Sequence, residues 1–350
     1  MLSFFEHTIN VGPVSGGPTT IPVNVNITRP NPDSNARVVI VLKSFDVRFT
    51  NADHHLLRVF IRPELDGFGP FTSSVPIRLS VGMRDSSGSW DDQYAGTVQL
   101  GIIVLDDNRV DVFERTQRFS YEHGGGPNSE TAFLQLNDPS ATGVTFLQGF
   151  DIGFERNDHH VLQIMADVDD QTVDALGTRF DAVQCRLGLR DSSGFWDDPY
   201  GGSVLFSSLR FPIGTYAVED GFITVQDVNK GPATSTANHF IQQNVPKERL
   251  FVGLTGFQCS YIGSDHHIHR LTSQVNIDQV QSDNQRTQVR IAYKGGIRDK
   301  SGEWDDQYAS TGRYAVLAVT DQALNSSVTL PVNIFRRVSL PRRFSHVFPR

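Results

Sequence analysis

The most constraining feature of this chain is a short phrase that contains all three of its tryptophans. It reads RDSSGSWDDQY at 84–94, RDSSGFWDDPY at 190–200 and RDKSGEWDDQY at 298–308. The copies begin 106 and then 108 residues apart. That spacing is close to the size of one small domain and far above a solenoid repeat of roughly 20–50 residues. The sequence therefore predicts three tandem domains that carry three copies of any site.

Composition and charge set the domain bounds and the kind of partner. Breaks in the pattern divide the chain into repeats at 1–107, 108–215 and 216–321 and a basic extension at 322–350. The extension holds five arginines and no acid, so its charge is +5. Because the net charge of the chain is −8, residues 1–321 carry a charge of −13. An acidic body argues against a general nucleic-acid binder. The extension suits docking on a neighbouring copy or repeat, with a solvated tail or a contact to nucleic acid or an anionic surface as alternatives.

Targeting and membrane signals do not stand out in the sequence. No run approaches the roughly 20 apolar residues that span a bilayer, so no membrane span is predicted. The recorded start lacks a basic segment and reaches Glu6 and His7 early, which does not resemble a secretory signal. We expect a cytoplasmic product or one exported by another route.

A second phrase, Asp-His-His, precedes each tryptophan phrase by 31 to 33 residues, at 53–55, 158–160 and 265–267. Apolar residues alternate upstream of it, as at 45–49, and again before each Arg-Asp, as at 79–83. Alternation of period two predicts half-buried strands, and no stretch has helical periodicity. We expect an all-β chain of three tandem antiparallel β-sandwich repeats, with the tryptophan phrase on a hairpin loop between two strands.

Alignment of the three copies assigns a place to the glycines and cysteines. Gly82, Gly188 and Gly296 share one strand position, which predicts a bulge or the close approach of a neighbour or ligand. Cys185 and Cys259 occupy positions that are apolar or aromatic in the other copies. We expect buried free thiols that form no disulfide.

The tryptophan phrase supplies most of the candidate site. Its carboxylates allow three interpretations: a divalent cation site, a self-contained turn in which Arg84 pairs with the acids above the tryptophan, or direct ligand contact. An aromatic ring beside carboxylates suits a sugar, because the ring covers C–H patches and the acids bind hydroxyls. The predicted ligand-binding residues are Trp90, Asp91, Asp92, Tyr94, Trp196, Asp197, Asp198, Tyr200, Trp304, Asp305, Asp306, Tyr308, His54, His159 and His266. The predicted metal ligands are Asp85, Asp91, Asp191, Asp197, Asp299 and Asp305, with Ca²⁺ as the cofactor.

The two histidines of each pair are expected to point in opposite directions. Adjacent residues of a strand face opposite sides, so one pair does not easily bind a single ion. If the strand continues, the second histidines share the core face with Val59 and its equivalents; they are His55, His160 and His267. The first histidine of each pair would then face outward or toward another repeat, as a ligand or pH-sensitive contact.

One repeat resembles the H-type lectin domain. Asn31-Pro32-Asp33, leading to 38–42 and to Phe45-Asp46-Val47, resembles that family's proline-containing entry to a strand with an aliphatic-Asp end. The run at 56–61, followed by a strand, a polar loop and a strand, resembles its second half. The resemblance implies a six-stranded β-sandwich from a family of trimers that bind N-acetylgalactosamine-type sugars at protomer interfaces. It would make this chain a trimer within one polypeptide, but neither phrase matches the family's sugar-binding residues.

These features predict a multivalent, non-catalytic protein that binds carbohydrate. Three sites gain avidity without new contacts, and the sequence lacks Gly-x-Ser-x-Gly, a phosphate loop and a paired Cys and His. The alternative is a structural component, such as a spike, fibre or shell subunit, in which the repeated loops make subunit contacts. Self-association is expected in both cases.

Overall fold

The described part of the chain is all β, as the alternating apolar pattern predicts. The computed structural model describes residues 2–28, 36–50, 52, 54–67, 69, 71–86, 90, 92–122, 126–134, 142–157, 159–175, 178–192, 196, 198–212, 214–228, 231–299, 304 and 306–320. Within these ranges the only helical element is a 3-10 turn at Lys247–Arg249, and no helix could cross a membrane. The extension at 322–350 lies outside the described residues.

Each repeat contributes six strands. The first repeat has β1 (Leu2–Val14), β2 (Thr19–Asn26), β3 (Arg37–Phe49), β4 (Arg58–Leu65), β5 (Ser74–Arg84) and β6 (Tyr94–Leu105). The second has β7 (Asp111–Glu122), β8 (Asn128–Leu134), β9 (Thr142–Phe154), β10 (Gln163–Ala175), β11 (Thr178–Arg190) and β12 (Tyr200–Phe211). The third has β13 (Tyr216–Val228), β14 (Ala233–Ile241), β15 (Leu250–Tyr261), β16 (Arg270–Ser282), β17 (Thr287–Arg298) and β18 (Tyr308–Val319).

The strands form three six-stranded antiparallel sheets, and each sheet takes three strands from one repeat and three from another. The strand orders are β1-β6-β3-β16-β17-β14, β2-β5-β4-β9-β12-β7 and β13-β18-β15-β10-β11-β8. The junctions between repeats are the pairs β3–β16, β4–β9 and β10–β15. Each repeat therefore contributes two three-stranded halves, and each half is extended to six strands by a half from another repeat. The predicted boundaries at 107 and 215 fall in the links between β6 and β7 and between β12 and β13.

The repeats surround a pseudo-threefold axis. The rings of Phe45, Phe150 and Phe257, one from each repeat, form a triangle with centroids 4.9 to 5.3 Å apart. All three rings are buried, and burial of one such side chain contributes roughly 1.5–3 kcal/mol. The axial core thus holds the three repeats in one body, an intrachain pseudo-trimer.

Two of the three junctions carry an arginine–aspartate pair at equivalent positions. Arg58 donates from Nε and Nη2 to the two carboxylate oxygens of Asp151, at 2.7 and 2.5 Å. Arg270 binds Asp46 in the same bidentate way, with Nε 2.7 Å from Oδ1. The third junction has glutamine at both equivalent positions, Gln163 and Gln258. The two members of the pair have changed together, so that this position leaves no charge without its partner.

The tryptophan phrase links two strands, but it does not form a hairpin. In the first repeat it joins β5 to β6, and these strands lie in different sheets: β5 pairs with β2 and β4, whereas β6 pairs with β1 and β3. The prediction of a hairpin is therefore wrong. Alternation shows which face of a strand is buried, but it does not show which strand is its partner. Consecutive strands pair often, and that tendency led to the prediction of a hairpin.

Both cysteines are buried and free, as predicted. Cys185 and Cys259 are completely buried, and burial raises the pKa of each thiol to about 12. The equivalent side chains in the other repeats are also fully buried; they are Leu79 and Tyr293, and Val47 and Ile152. The alignment of the repeats therefore predicted these environments correctly.

Candidate functional site

Each tryptophan packs inside its own loop. A Cβ added to Gly82 would lie 2.8 Å from Cη2 of Trp90, and the same approach occurs in the other repeats. The close approach predicted for this strand position is thus made by a neighbouring ring. The guanidinium carbon of Arg84 lies 5.2 Å from the centroid of Trp90, with 5.3 Å at the two equivalent pairs. The arginine stacks on the tryptophan, a contact worth roughly 0.5–1 kcal/mol at exposed sites and more when desolvated.

The loop tyrosines are structural and have no surface for a ligand. Tyr94, Tyr200 and Tyr308 are completely buried, although the sequence placed them among the ligand-binding residues. The hydroxyl of Tyr94 accepts the amide of Thr19 at 2.8 Å and donates to the carbonyl of Gly17 at 3.1 Å. The other two make equivalent bonds, and burial raises the pKa of each hydroxyl to about 12. Each tyrosine ties its loop to the start of an edge strand.

The first histidine of each Asp-His-His phrase lies between two loop carboxylates of its own repeat. His54 Nδ1 is 3.1 Å from Asp85 Oδ2, and its Nε2 is 3.2 Å from Asp92 Oδ1. His159 lies 3.3 and 3.5 Å from Asp191 and Asp198. His266 lies 3.7 and 3.5 Å from its two carboxylates, Asp299 and Asp306. We call these three groups the His–Asp–Asp clusters.

The clusters revise two expectations for the loop. The first acid of the phrase hydrogen-bonds the histidine in the first two repeats, and the arginine that was predicted to pair with it stacks on the tryptophan. The histidine in turn faces its own loop and is only partly exposed, because its ring is packed on the end of the preceding strand. His54, for example, lies 4.6 Å from the ring of Phe49. The remaining predicted ligands, Asp91, Asp197 and Asp305, lie outside the described residues.

The three Asp-His-His segments pair with one another around the axis. Single bridges join His54 to Ile268, Leu56 to His159 and Val161 to His266. Each bridge has two backbone hydrogen bonds of 2.8 to 3.2 Å. The segments thus close a ring at the ends of β3, β9 and β15, and the three His–Asp–Asp clusters surround the axis at this end of the protein.

The second histidines meet on the axis and are only partly buried, so the core position expected for them if the strand continued is wrong. The ring centroids of His55, His160 and His267 lie 4.5 to 4.6 Å apart. The side chain of His160 is 41% exposed. The strand is interrupted after Phe49, so the expected register does not continue through the phrase. The fully buried position belongs to the next residue, which is Leu56, Val161 or Ile268.

A polar cleft adjoins the cluster of the second repeat. Its volume is about 290 Å³ and its lining includes His159, Asp198, Glu155, Arg156 and Asn157. Asp198 is 24% exposed and His159 is 25% exposed, so both reach solvent in the cleft. The sequence analysis missed the residues at 155–157 because nothing in their local pattern distinguishes them from an ordinary connecting segment. The cleft can accept a small ligand rich in hydroxyl or amide groups.

Each His–Asp–Asp cluster also brings one imidazole nitrogen and two carboxylate oxygens within 4.8 Å of one another. Calcium takes six to eight oxygen ligands, and a mixed nitrogen and oxygen set suits first-row transition ions better. The donor chemistry of the described residues therefore does not favour the predicted Ca²⁺. The clusters can act as polar groups without any ion, since His54 and His159 each hydrogen-bond the first carboxylate of the loop and the other histidine–carboxylate distances are 3.2 to 3.7 Å.

Comparisons with known protein families and with curated proteins find no match to this chain.

Proposed function

We propose that this protein is a multivalent, non-catalytic binding protein whose ligand is carbohydrate. The observation that carries the proposal is the threefold display of His–Asp–Asp clusters, whose side chains are 8% to 25% exposed, around one axis at one end of the molecule. Three equivalent sites held in one rigid body engage a surface with repeated ligands, and avidity then exceeds single-site affinity by roughly 10²–10⁴.

The cleft chemistry supports a sugar as the ligand. Sugar hydroxyls donate to carboxylates, and Asp198 offers an exposed carboxylate beside His159. Arg156 lines the same cleft, and its guanidinium can donate to ring or carbonyl oxygens. The tryptophans and tyrosines contribute by fixing the loop, so the contacting residues are the histidine and the second aspartate of each cluster. This narrows the ligand-binding set predicted from the sequence.

The test is binding of the full chain to a diverse glycan array, followed by variants of the contacting acids. Asp92→Asn, Asp198→Asn and Asp306→Asn should each lower apparent affinity for a dense glycan surface, and the triple variant should lose binding. Asp283→Asn, on an exposed turn that caps its own backbone, is the matched control and should bind normally. The absence of any bound glycan, or a triple variant that binds like the wild type, contradicts the proposal.

A second candidate function, subunit contact in a larger assembly, is favoured by two exposed aromatics in the third repeat. Phe222 on β13 is 69% exposed and Phe240 on β14 is 44% exposed. The positions equivalent to Phe222 hold Thr8 and Thr116. At the position of Phe222 the third repeat alone has an apolar side chain, and an exposed phenylalanine there suits an interface between copies of the chain.

Light scattering tests this candidate. Phe222→Thr introduces the residue of the other repeats and should reduce an oligomer to the monomer mass. Deletion of residues 336–350 tests the predicted docking role of the basic extension in the same measurement. A wild-type chain that is monomeric at high concentration contradicts self-association.

A further inference from the structure

We propose that His55, His160 and His267 bind one transition-metal ion of the Zn²⁺ class on the pseudo-threefold axis. Each residue offers one ring nitrogen, and the three nitrogens lie within 4.8 Å of one another. The rings stand at 72° to 80° to each other, so they form a propeller around the axis. Imidazole is the ligand that zinc, nickel, cobalt and copper share, and three imidazoles with one open position are an established zinc geometry.

The geometry requires only a small adjustment. In a tetrahedral site with Zn–N of about 2.0–2.1 Å, neighbouring ligand nitrogens lie about 3.3 Å apart. Nitrogens that start up to 4.8 Å apart must each move toward the axis by less than about 1 Å to reach that spacing. The three residues are only partly buried, so side-chain rotation can supply the movement. The exposed edge of His160 leaves the fourth position open to water.

An acidic residue of the neighbouring repeat is placed to orient one ligand. Oδ1 of Asp265 lies 3.8 Å from Nδ1 of His160. The other oxygen, Oδ2, accepts the backbone amide of Ser192 at 3.1 Å, which fixes the carboxylate. The 3.8 Å separation is too long for a direct hydrogen bond, so the carboxylate fixes a proton on Nδ1, and leaves Nε2 as the electron-pair donor for a metal, once the ring moves within hydrogen-bond reach. The equivalent acids, Asp53 and Asp158, lie outside the described residues.

An ion at this position would cross-link the three repeats, because each ligand comes from a different repeat. The ring of Asp-His-His segments is held by three two-bond bridges, and the ion would close it at the centre. Binding to the folded state alone raises stability with free metal concentration. The site uses different side chains from the proposed glycan-binding clusters, so metal binding can be tested independently of that function.

The experiment uses the full chain, stripped with a chelator and dialysed, and titrates Zn²⁺ by calorimetry. We expect one tight site per chain and a melting temperature that rises with Zn²⁺. His160→Asn should weaken binding by at least about 100-fold, whereas His159→Asn, its neighbour in a His–Asp–Asp cluster, should retain the tight site. Asp265→Asn, which can still accept the Ser192 amide, should weaken it by about 10–100-fold. With Co²⁺, the wild type should show a visible absorption band that His160→Asn lacks.

Circular dichroism and melting without metal check that each variant folds. If His160→Asn does not fold, His55→Asn and His267→Asn remove other ligands of the same ion and must give the same loss. Absence of tight Zn²⁺ binding to the wild type overturns the proposal. So does tight binding that persists in the folded axial variants, or three ions per chain that disappear when His54, His159 and His266 are replaced.

Discussion

The left-handed backbone at each tryptophan allows a direct test of whether the loop is held by its own packing. Trp90, Trp196 and Trp304 have φ angles of 63°, 60° and 63°, and no other non-glycine residue in the described ranges has positive φ. An L side chain in this conformation costs roughly 1–2 kcal/mol, whereas glycine has no such steric cost. The contacts of the indole ring must therefore offset an unfavourable backbone.

We expect Trp304→Gly to be more stable than Trp304→Ala, which reverses the usual order of these residues. Both variants lose a ring that is 8% exposed, and loss of a buried tryptophan costs roughly 3–5 kcal/mol. Alanine keeps the left-handed cost of roughly 1–2 kcal/mol, and glycine instead carries an entropic cost of roughly 0.5–1 kcal/mol. The balance leaves the glycine variant more stable by roughly 1 kcal/mol.

The measurement is the free energy of unfolding of the full chain, obtained from urea titrations. The two variants are compared only if their m-values agree, because a changed m-value indicates a change other than stability. Tyr314 is the matched control, because it is buried within β18 on an ordinary extended backbone. At position 314 the free energy of unfolding of the alanine variant should be higher than that of the glycine variant by roughly 0.5–1 kcal/mol. If Trp304→Ala proved as stable as Trp304→Gly, the reasoning would be refuted, since the loop would then relax out of the left-handed conformation at no cost.

Two further predictions concern charged groups. Arg58→Ala should cost roughly 3 kcal/mol, because it leaves the carboxylate of Asp151, 7% exposed, without its bidentate partner. Arg270→Ala should cost roughly 1 kcal/mol or less, because Asp46 is 24% exposed; equal losses in urea titrations would contradict this ranking. Desolvation and nearby carboxylates raise the pKa of Asp220 to about 6 although its side chain is exposed, so the folded state loses a small, solvent-screened amount of stability as the pH rises from about 4 through 6. Asp220→Asn should therefore gain stability relative to the wild type between pH 4 and pH 7, and a constant difference across that range would contradict the shift.

The strands and their buried faces could be predicted from the sequence because both follow from local alternation. The alternation at 45–49 placed Phe45, Val47 and Phe49 inside, and all three are buried. The repeat alignment extended that result to the cysteines without any structural information. The tyrosines could also have been recognised as core residues, because Tyr94 is an even number of positions from Val98 and Leu100 on the same face of β6.

The pairing of strands and the convergence of the histidines could not be predicted, because both depend on contacts between repeats. Alternation does not show that β3 pairs with β16, more than 200 residues away. The histidine register failed because the chain leaves the strand after Phe49 and resumes at Arg58. A useful signal was present in the repeat alignment. The position of His55 is histidine in all three copies, whereas the next position is apolar in all three, and only the apolar position is fully buried.

The axis itself indicates why three identical histidines are better explained by a shared ligand than by packing. Farther along the axis, equivalent positions hold unlike residues, Val41, Phe146 and Gly253. A Cβ added to Gly253 would lie 2.4 Å from Cγ1 of Val41 and 2.9 Å from Cδ1 of Phe146, so the missing side chain makes room for the larger neighbours. Packing on this axis is therefore satisfied by compensating volumes. Three partly buried imidazoles place polar nitrogens together and gain little from burial, whereas each can donate one nitrogen to a shared ion on the axis.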